Sequence, residues 1–163
     1  MIIVKKSGYL KYKNLKFRCA LGKGGVKKKT MEGDNITPKG NYKIIDIYYR
    51  RDRIKKITSK IKLLKIYKNM GWCDDPTSKK YNRLILLPSK WGHEKLYRED
   101  HVYDLVIVLN YNMRPVIKNK GSAIFIHISK KNYAATKGCI ALKKKDLLKL
   151  ISIIDKNEKI KII

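Results

Sequence analysis

Two residues in the second half of the chain have the types and spacing for covalent chemistry. His127 stands near the end of the run Ala123-Ile124-Phe125-Ile126-His127-Ile128, and Cys139 follows twelve residues later, directly behind Gly138. A histidine in an otherwise apolar strand is costly to bury unless it is hydrogen-bonded or working. A Gly–Cys step in a turn ahead of a helix offers consecutive backbone N–H groups that could hold an oxyanion. A positive helix end, the nearby Lys137 and an adjacent imidazole would each lower the thiol pKa. Thiol, imidazole and oxyanion donors together are the equipment of nucleophilic acyl transfer. A lone His or a lone Cys is more often structural. Here position, spacing and the flanking glycine agree on the catalytic reading.

Other stretches carry weaker signals. Lys23-Gly24-Gly25-Val26-Lys27-Lys28-Lys29-Thr30 has glycines and a Lys-Thr step, as in phosphate-binding loops. Lys27 replaces the glycine that would precede the critical lysine, and no helix follows, so the stretch is expected to be a flexible basic loop. In Trp72-Cys73-Asp74-Asp75 the paired aspartates supply too few convergent oxygens for a hard cation, and turn or cap roles before Pro76 are the commoner use. Cys19, Cys73 and Cys139 form no CxxC pair and no zinc-like cluster. Cys19 and Cys73 could bridge in an oxidising compartment, or serve as two buried thiols.

The elements that must position these residues are mostly strands. Met1–Lys5, Tyr9–Lys13 and Leu15–Leu21 are short alternating runs. Asn41–Tyr49 is longer, with Tyr42, Ile44, Asp46 and Tyr48 expected on one face. Gly22–Thr30 and Gly33–Gly40 read as loops, Arg50–Asn69 is ambiguous, and Gly71–Asn82 has the composition of a long surface loop. Leu84–Leu87 is a short apolar run and Glu94–Glu99 could form a helical turn or two. Tyr103–Leu109 and Ala123–Ile128 read as strands, the second apolar on both faces and so centrally buried. A nine-residue loop, Ser129–Lys137, leads to Gly138-Cys139. Lys143–Ile154 has Leu147, Leu148, Leu150, Ile151 and Ile154 at helical spacing, and Lys159–Ile163 reads as a last strand. The expected class is mainly β with one clear C-terminal helix (α+β), in a single domain over residues 1–163.

Composition bounds the partners. The 163 residues include 40 basic and 13 acidic side chains, a formal net charge of +27, with 44% apolar residues. That apolar share argues against a disordered basic tail. No stretch approaches the ~20 apolar residues needed to span a bilayer, and no signal peptide is visible. The charge would attract polyanions, but lysines alternate with apolar residues, as in Leu15-Lys16-Phe17-Arg18, which is how a solvated sheet face looks. Charge alone names no function.

Ile124-Phe125-Ile126-His127 through Thr136-Lys137-Gly138-Cys139-Ile140-Ala141-Leu142 resembles the signature of the L,D-transpeptidase catalytic domain family (YkuD-like, or ErfK/YbiS-like). Glu32-Gly33-Asp34, Thr37-Pro38-Lys39-Gly40-Asn41-Tyr42, Gly71-Trp72-Cys73-Asp74-Asp75-Pro76, Tyr81-Asn82 and Tyr103-Asp104-Leu105-Val106 are similar to the same family. The family usually has a histidine where Lys137 stands, and Arg or Asn where Ala141 stands. The resemblance implies β-sandwich or barrel-like sheets with the site at the mouth of a groove. It implies Cys139 as nucleophile, His127 as general acid/base, and backbone N–H groups at Gly138 and Cys139 as oxyanion donors. Lys137 would keep the thiolate charged or hold a substrate carboxylate, and Thr136, Tyr133 and Trp72 or Tyr81 would line the groove. The implied substrates are peptidoglycan stem peptides, donor and acceptor, with carbapenem β-lactams as alternative acyl donors. No metal or organic cofactor and no specific nucleic acid is implied, and a monomer is expected. The implied location is the cell envelope or periplasm. If water resolves the thioester, the same site is an L,D-carboxypeptidase; the contrasting class is a non-catalytic basic module binding wall polymer or nucleic acid.

Overall fold

The computed structural model describes all 163 residues. Fourteen strands and one α-helix follow in chain order. The first three are β1 (Ile2–Lys5), β2 (Tyr9–Tyr12) and β3 (Leu15–Ala20). Two-residue strands β4 (Val26–Lys27) and β5 (Thr37–Pro38) precede the ten-residue β6 (Gly40–Tyr49) and the short β7 (Leu63–Lys65). Next come β8 (Met70–Cys73), β9 (Leu84–Leu86), β10 (His93–Lys95), β11 (Leu105–Leu109) and β12 (Phe125–Ile128). A short 3₁₀ turn, Lys131–Tyr133, leads to β13 (Ile140–Leu142), α1 (Lys144–Ile153) and β14 (Lys159–Ile162). The fold is mainly β with one helix.

Nine strands form one sheet in the order β11-β12-β13-β3-β2-β1-β14-β6-β7, and β6 also pairs with β11, so the sheet closes into a barrel-like core. Closure removes the exposed edges that an open sheet of this size would present. Its interior is a cluster of 24 buried side chains to which nearly every barrel strand contributes. α1 joins it through Leu147, Leu150, Ile151 and the following Ile154, as the helical spacing requires. A second sheet, β10-β8-β9, covers part of the outside. Between the two lies a smaller, more aromatic cluster holding Tyr48, Trp72, Tyr103, Phe125 and Cys139.

β11 and β12 serve both cores. Side chains alternate faces along a strand, so Leu105, Ile107, Leu109, Ile126 and Ile128 fill the barrel while Val106, Val108 and Phe125 face the second cluster. That is why these runs are apolar on both faces. Along β1–β3 the exposed positions are all basic, Lys5, Lys11, Lys16 and Arg18, the last two flanking buried Phe17.

Four expectations change. Tyr42, Ile44, Asp46 and Tyr48 do not share one face: the β6–β11 register shifts between Ile44 and Ile47, a bulge that puts Ile44 and Ile47 in the barrel and Tyr48 in the second cluster. Glu94–Glu99 opens as a strand, because His93–Lys95 pairs antiparallel with Gly71–Cys73. Gly71–Asn82 is not a surface loop at its ends: Trp72 and Cys73 are buried in β8, and Tyr81 and Asn82 are buried where the loop returns. The basic stretch after Gly22 is anchored, with β4 paired to β5 and Lys29 buried against Asp34.

Candidate active site

His127 projects from β12, and Cys139 lies immediately before β13. The two strands pair in parallel, with Ile126 opposite Ile140 and His127 opposite Ala141. Parallel neighbours need a connection long enough to run back along the strand; here it is Ser129–Cys139. Cys139 therefore sits beside Phe125, on the face that also carries His127. Both line one cavity of about 630 Å³. The remainder of its wall includes Lys29, Glu32, Asp74, Glu94, Tyr103 and Ser122.

The connection is pinned at its far end. Thr136 bridges to Gly22, donating its N–H to the Leu21 carbonyl at 2.9 Å and accepting at its own carbonyl from Lys23 N–H at 2.9 Å. Gly138 packs so tightly here that a Cβ would sit 2.8 Å from the Ile36 carbonyl, at a φ of +131°. Only glycine fits that position without displacing backbone.

Cys139 leads into a strand, not into a helix: α1 begins at Lys144, so no helix N-terminus acts on the thiol. Its Sγ donates to the Ala123 carbonyl at 3.1 Å and accepts from the Phe125 N–H at 3.4 Å. Burial pushes the thiol up to about 12; the Glu94 charge adds to this, and the Phe125 N–H and Lys29 act against it. The cation acting on this thiol is Lys29, which is bound to Asp34 in the cavity wall. Lys137 is exposed at the cavity rim, so the expectation that it tunes the thiolate is corrected.

His127 is 6% exposed and its Nδ1 lies 2.9 Å from the Ile128 carbonyl. A carbonyl oxygen only accepts, so Nδ1 carries the proton and Nε2 keeps its lone pair. Burial lowers the imidazole to about 4, against the Ile128 hydrogen bond and helped by Arg98 and Lys130. The resting pair at pH 7 is thus a thiol and a neutral imidazole with a basic Nε2. No hydrogen bond joins the two side chains. Tyr103 packs edge-on against the His127 ring at 5.3 Å, and its hydroxyl donates to Glu94.

The expected oxyanion donor also changes. Gly138 N–H donates to Thr136 Oγ1 at 3.1 Å, while the Thr136 hydroxyl donates to the Cys139 carbonyl at 2.6 Å. The Cys139 N–H carries no hydrogen bond and is the donor left over.

Thr136 and Lys137 line the cavity; Trp72, Tyr81 and Tyr133 do not. Trp72 is buried and donates its indole N–H to Asn82 Oδ1 at 3.0 Å. The same Asn82 oxygen accepts the Ala123 N–H at 3.0 Å, fixing the carbonyl-bearing residue that receives the Cys139 thiol. Ala123 is held there at a φ of +51°, a conformation uncommon for residues other than glycine. Tyr81 donates to Glu32 and accepts from Gly121 N–H, so it supports the wall from behind. Tyr133 turns away and stacks under Arg18, 4.6 Å from its ring centre. Aromatic residues picked for a groove are packing residues here. Glu94 and Ser122 are cavity residues that chain spacing did not single out, and Lys29 and Tyr103, quoted in motifs, line the cavity as well.

Residues 1–162 match the L,D-transpeptidase catalytic domain (YkuD). The chain belongs to the L,D-transpeptidase catalytic domain family. No curated protein matches the chain significantly in sequence. Among solved structures, a mutant form of the helical cell shape determining protein Pgp2 from Campylobacter jejuni is similar, with a TM-score of 0.53 at 16% identity. The match covers 99% of this chain and 45% of that one, so this chain spans less than half of that protein and what they share is the fold alone. No helix is long and apolar enough to cross a membrane. The three cysteines are separate, buried and free.

Proposed function

We propose that this chain is a cysteine-dependent L,D-transpeptidase, a single catalytic domain acting on peptidoglycan stem peptides. The observation that carries this reading is the pairing of β12 with β13, which turns His127 and Cys139 toward one cavity. The Cys139 thiol gives its proton to His127 Nε2 as Sγ bonds to the carbonyl carbon on the L-side of an L,D peptide bond. The Cys139 N–H donates to the developing oxyanion, a contribution of about 3 kcal/mol per donor in acyl-transfer enzymes. The C–N bond then breaks, the departing D-amino acid takes the proton from His127, and a thioester remains. An amine from a second stem attacks that thioester, giving the cross-link and returning a proton to the thiol.

Substrate must overcome the burial that keeps Cys139 protonated. Loss of the thiol proton also exchanges the bond to the Ala123 carbonyl for a contact between two negative oxygen and sulfur atoms, so the acyl donor displaces that contact as it enters.

Intact-mass spectrometry after mixing with a carbapenem tests the nucleophile. A single adduct is expected, absent in Cys139→Ala while the variant's circular dichroism and melting stay unchanged. An adduct of equal yield in Cys139→Ala overturns the assignment. With tetrapeptide stems, cross-linked dimers are the expected product; tripeptide alone would make the chain an L,D-carboxypeptidase.

A further inference from the structure

The barrel wall farthest from the site carries charge of one sign. Around the closed sheet β1 stands four places from β12, and β14 four places from β13, whichever way the circuit is counted. Side chains alternate faces along a strand. On β3, β2, β1, β14 and the start of β6, the outward positions are Lys or Arg seven times and acidic never. All seven are exposed, and none forms a salt bridge. Glu158, just before β14, is engaged by the N-terminal amine and by the Tyr12 hydroxyl.

The register makes the array unfavourable by itself. Lys11 lies directly opposite Lys16, and Lys159 opposite Lys43. Like charges in such pairs destabilise a sheet, and a bound polyanion reverses the sign of that effect. The shape of the array narrows the partner. With strands about 4.8 Å apart and outward residues about 6.7 Å apart, five strands and three rows spread it over about 19 by 13 Å. That is a plane of charge, broader than the DNA major groove of about 12 Å. Tyr9, its one aromatic ring, lies under Lys16 at 4.0 Å and is not free to stack a base. Six of the seven cations are lysines, whose flexible stems let charges on a curved wall settle onto one plane. Apolar side chains stand among them: Ile3 between Lys11 and Lys161, with Met1 and Ile163 exposed at the strand ends.

We propose that this wall docks the protein on an anionic lipid bilayer, with the His127–Cys139 cavity facing away from it. Lysines near an anionic headgroup plane attract it without inserting, and the interspersed apolar side chains suit the headgroup boundary. Because the cavity opens on the opposite side of the barrel, docking leaves it accessible. The proposal stands on the array and its place in the barrel, and is independent of what Cys139 does.

Vesicle sedimentation tests it. The wild type is expected to bind vesicles of equal parts phosphatidylglycerol and phosphatidylcholine, and not vesicles of phosphatidylcholine alone. Each basic side chain near the surface contributes about fivefold, so the triple variant Lys11→Gln, Lys16→Gln, Lys161→Gln is expected to bind about a hundredfold more weakly. Its melting should be no lower than that of the wild type, since a like-charge pair is removed. A control triple, Lys79→Gln, Lys80→Gln, Lys118→Gln, loses the same charge from exposed positions elsewhere and should keep most of the binding. Equal losses in the two triples, or equal binding to both kinds of vesicle, overturn the proposal. So does a wild type that leaves the mixed vesicles unbound yet binds oligothymidylate through the same three lysines, which would make the wall a site for a linear polyanion. Lysine acetylation read by mass spectrometry reports the orientation. On vesicles Lys11, Lys16 and Lys161 should be protected while Lys137 at the cavity rim reacts as in solution, and equal protection of Lys137 overturns the docking geometry.

Discussion

The two sides of β11 and β12 are built to different ends. The side facing into the barrel is almost wholly aliphatic, closed on itself and reached by residues from nearly every strand and from α1. The other side is a smaller cluster rich in aromatics, and at its margin come the buried thiol, the neutral imidazole and the strained Ala123. One pair of strands thus joins a region optimised for burial to a region that holds groups at an energetic cost. Functional sites commonly carry such local costs, of order 1–3 kcal/mol each, against the stability supplied elsewhere. The barrel is what makes the site affordable.

If that division is right, the barrel side can be weakened without touching the chemistry. Ile160, fully buried in the barrel on β14, is the first place to try. Ile160→Ala is expected to lower unfolding stability by about 2–5 kcal/mol, read from urea titration. The rate of carbapenem adduct formation in the still-folded fraction should stay unchanged, and a slower rate would show that the two sides are coupled.

The site side should carry the acid sensitivity. His127 has a folded value of about 4, below the ordinary 6.5, so the unfolded chain takes up its proton first. The stability associated with neutral His127 is complete above pH 6.5 and is lost as pH falls toward 4, by about 3 kcal/mol in all. Thermal melts between pH 7 and 4 should show this slope, and His127→Gln should remove it. Asp34 is separable because it acts lower: burial notwithstanding, Lys29 and the amides of Ile36, Thr30 and Met31 hold it well below the carboxylate range. Its stabilisation is present above the ordinary aspartate value and disappears only as pH falls beneath it.

Asn82 sharpens the contrast from behind the site. Its side chain joins Trp72, Ala123, Tyr111 and Asn112. Asn82→Ala should cost about 1–3 kcal/mol through the buried groups it leaves unpaired, and it should also slow adduct formation, because Ala123 is freed. A loss of stability with unchanged adduct rate would make Asn82 a packing residue only. Lys137, exposed on the rim, should matter least: Lys137→Ala is expected to raise KM for stem peptide up to about fivefold, the reach of a solvated ion pair, with no change in melting.

Much of the fold was legible in the chain. The alternating runs of β1–β3, the doubly apolar β11 and β12, and the leucine spacing of α1 each follow from local periodicity, because burial repeats with the geometry of the element. Glu94–Glu99 misled because its composition is polar and short, and only the partner strand β8 made it extended. The bulge in β6 was equally invisible, since a one-residue shift is set by what the neighbouring strand requires.

For the site, the sequence by itself supplied the pair proposed to do the chemistry: His127 at a strand end, Cys139 behind a glycine, and the spacing between them. It also determined the family. What the tertiary structure decided is the environment of that pair. Burial and the Glu94 charge keep the thiol protonated, Thr136 occupies the Gly138 N–H, and Lys29, remote in the chain, is the cation that acts on Cys139. These are properties of distance and desolvation, which depend on how segments far apart in the chain pack together. Residue types and spacing carry the chemistry that is available; packing sets its charge state.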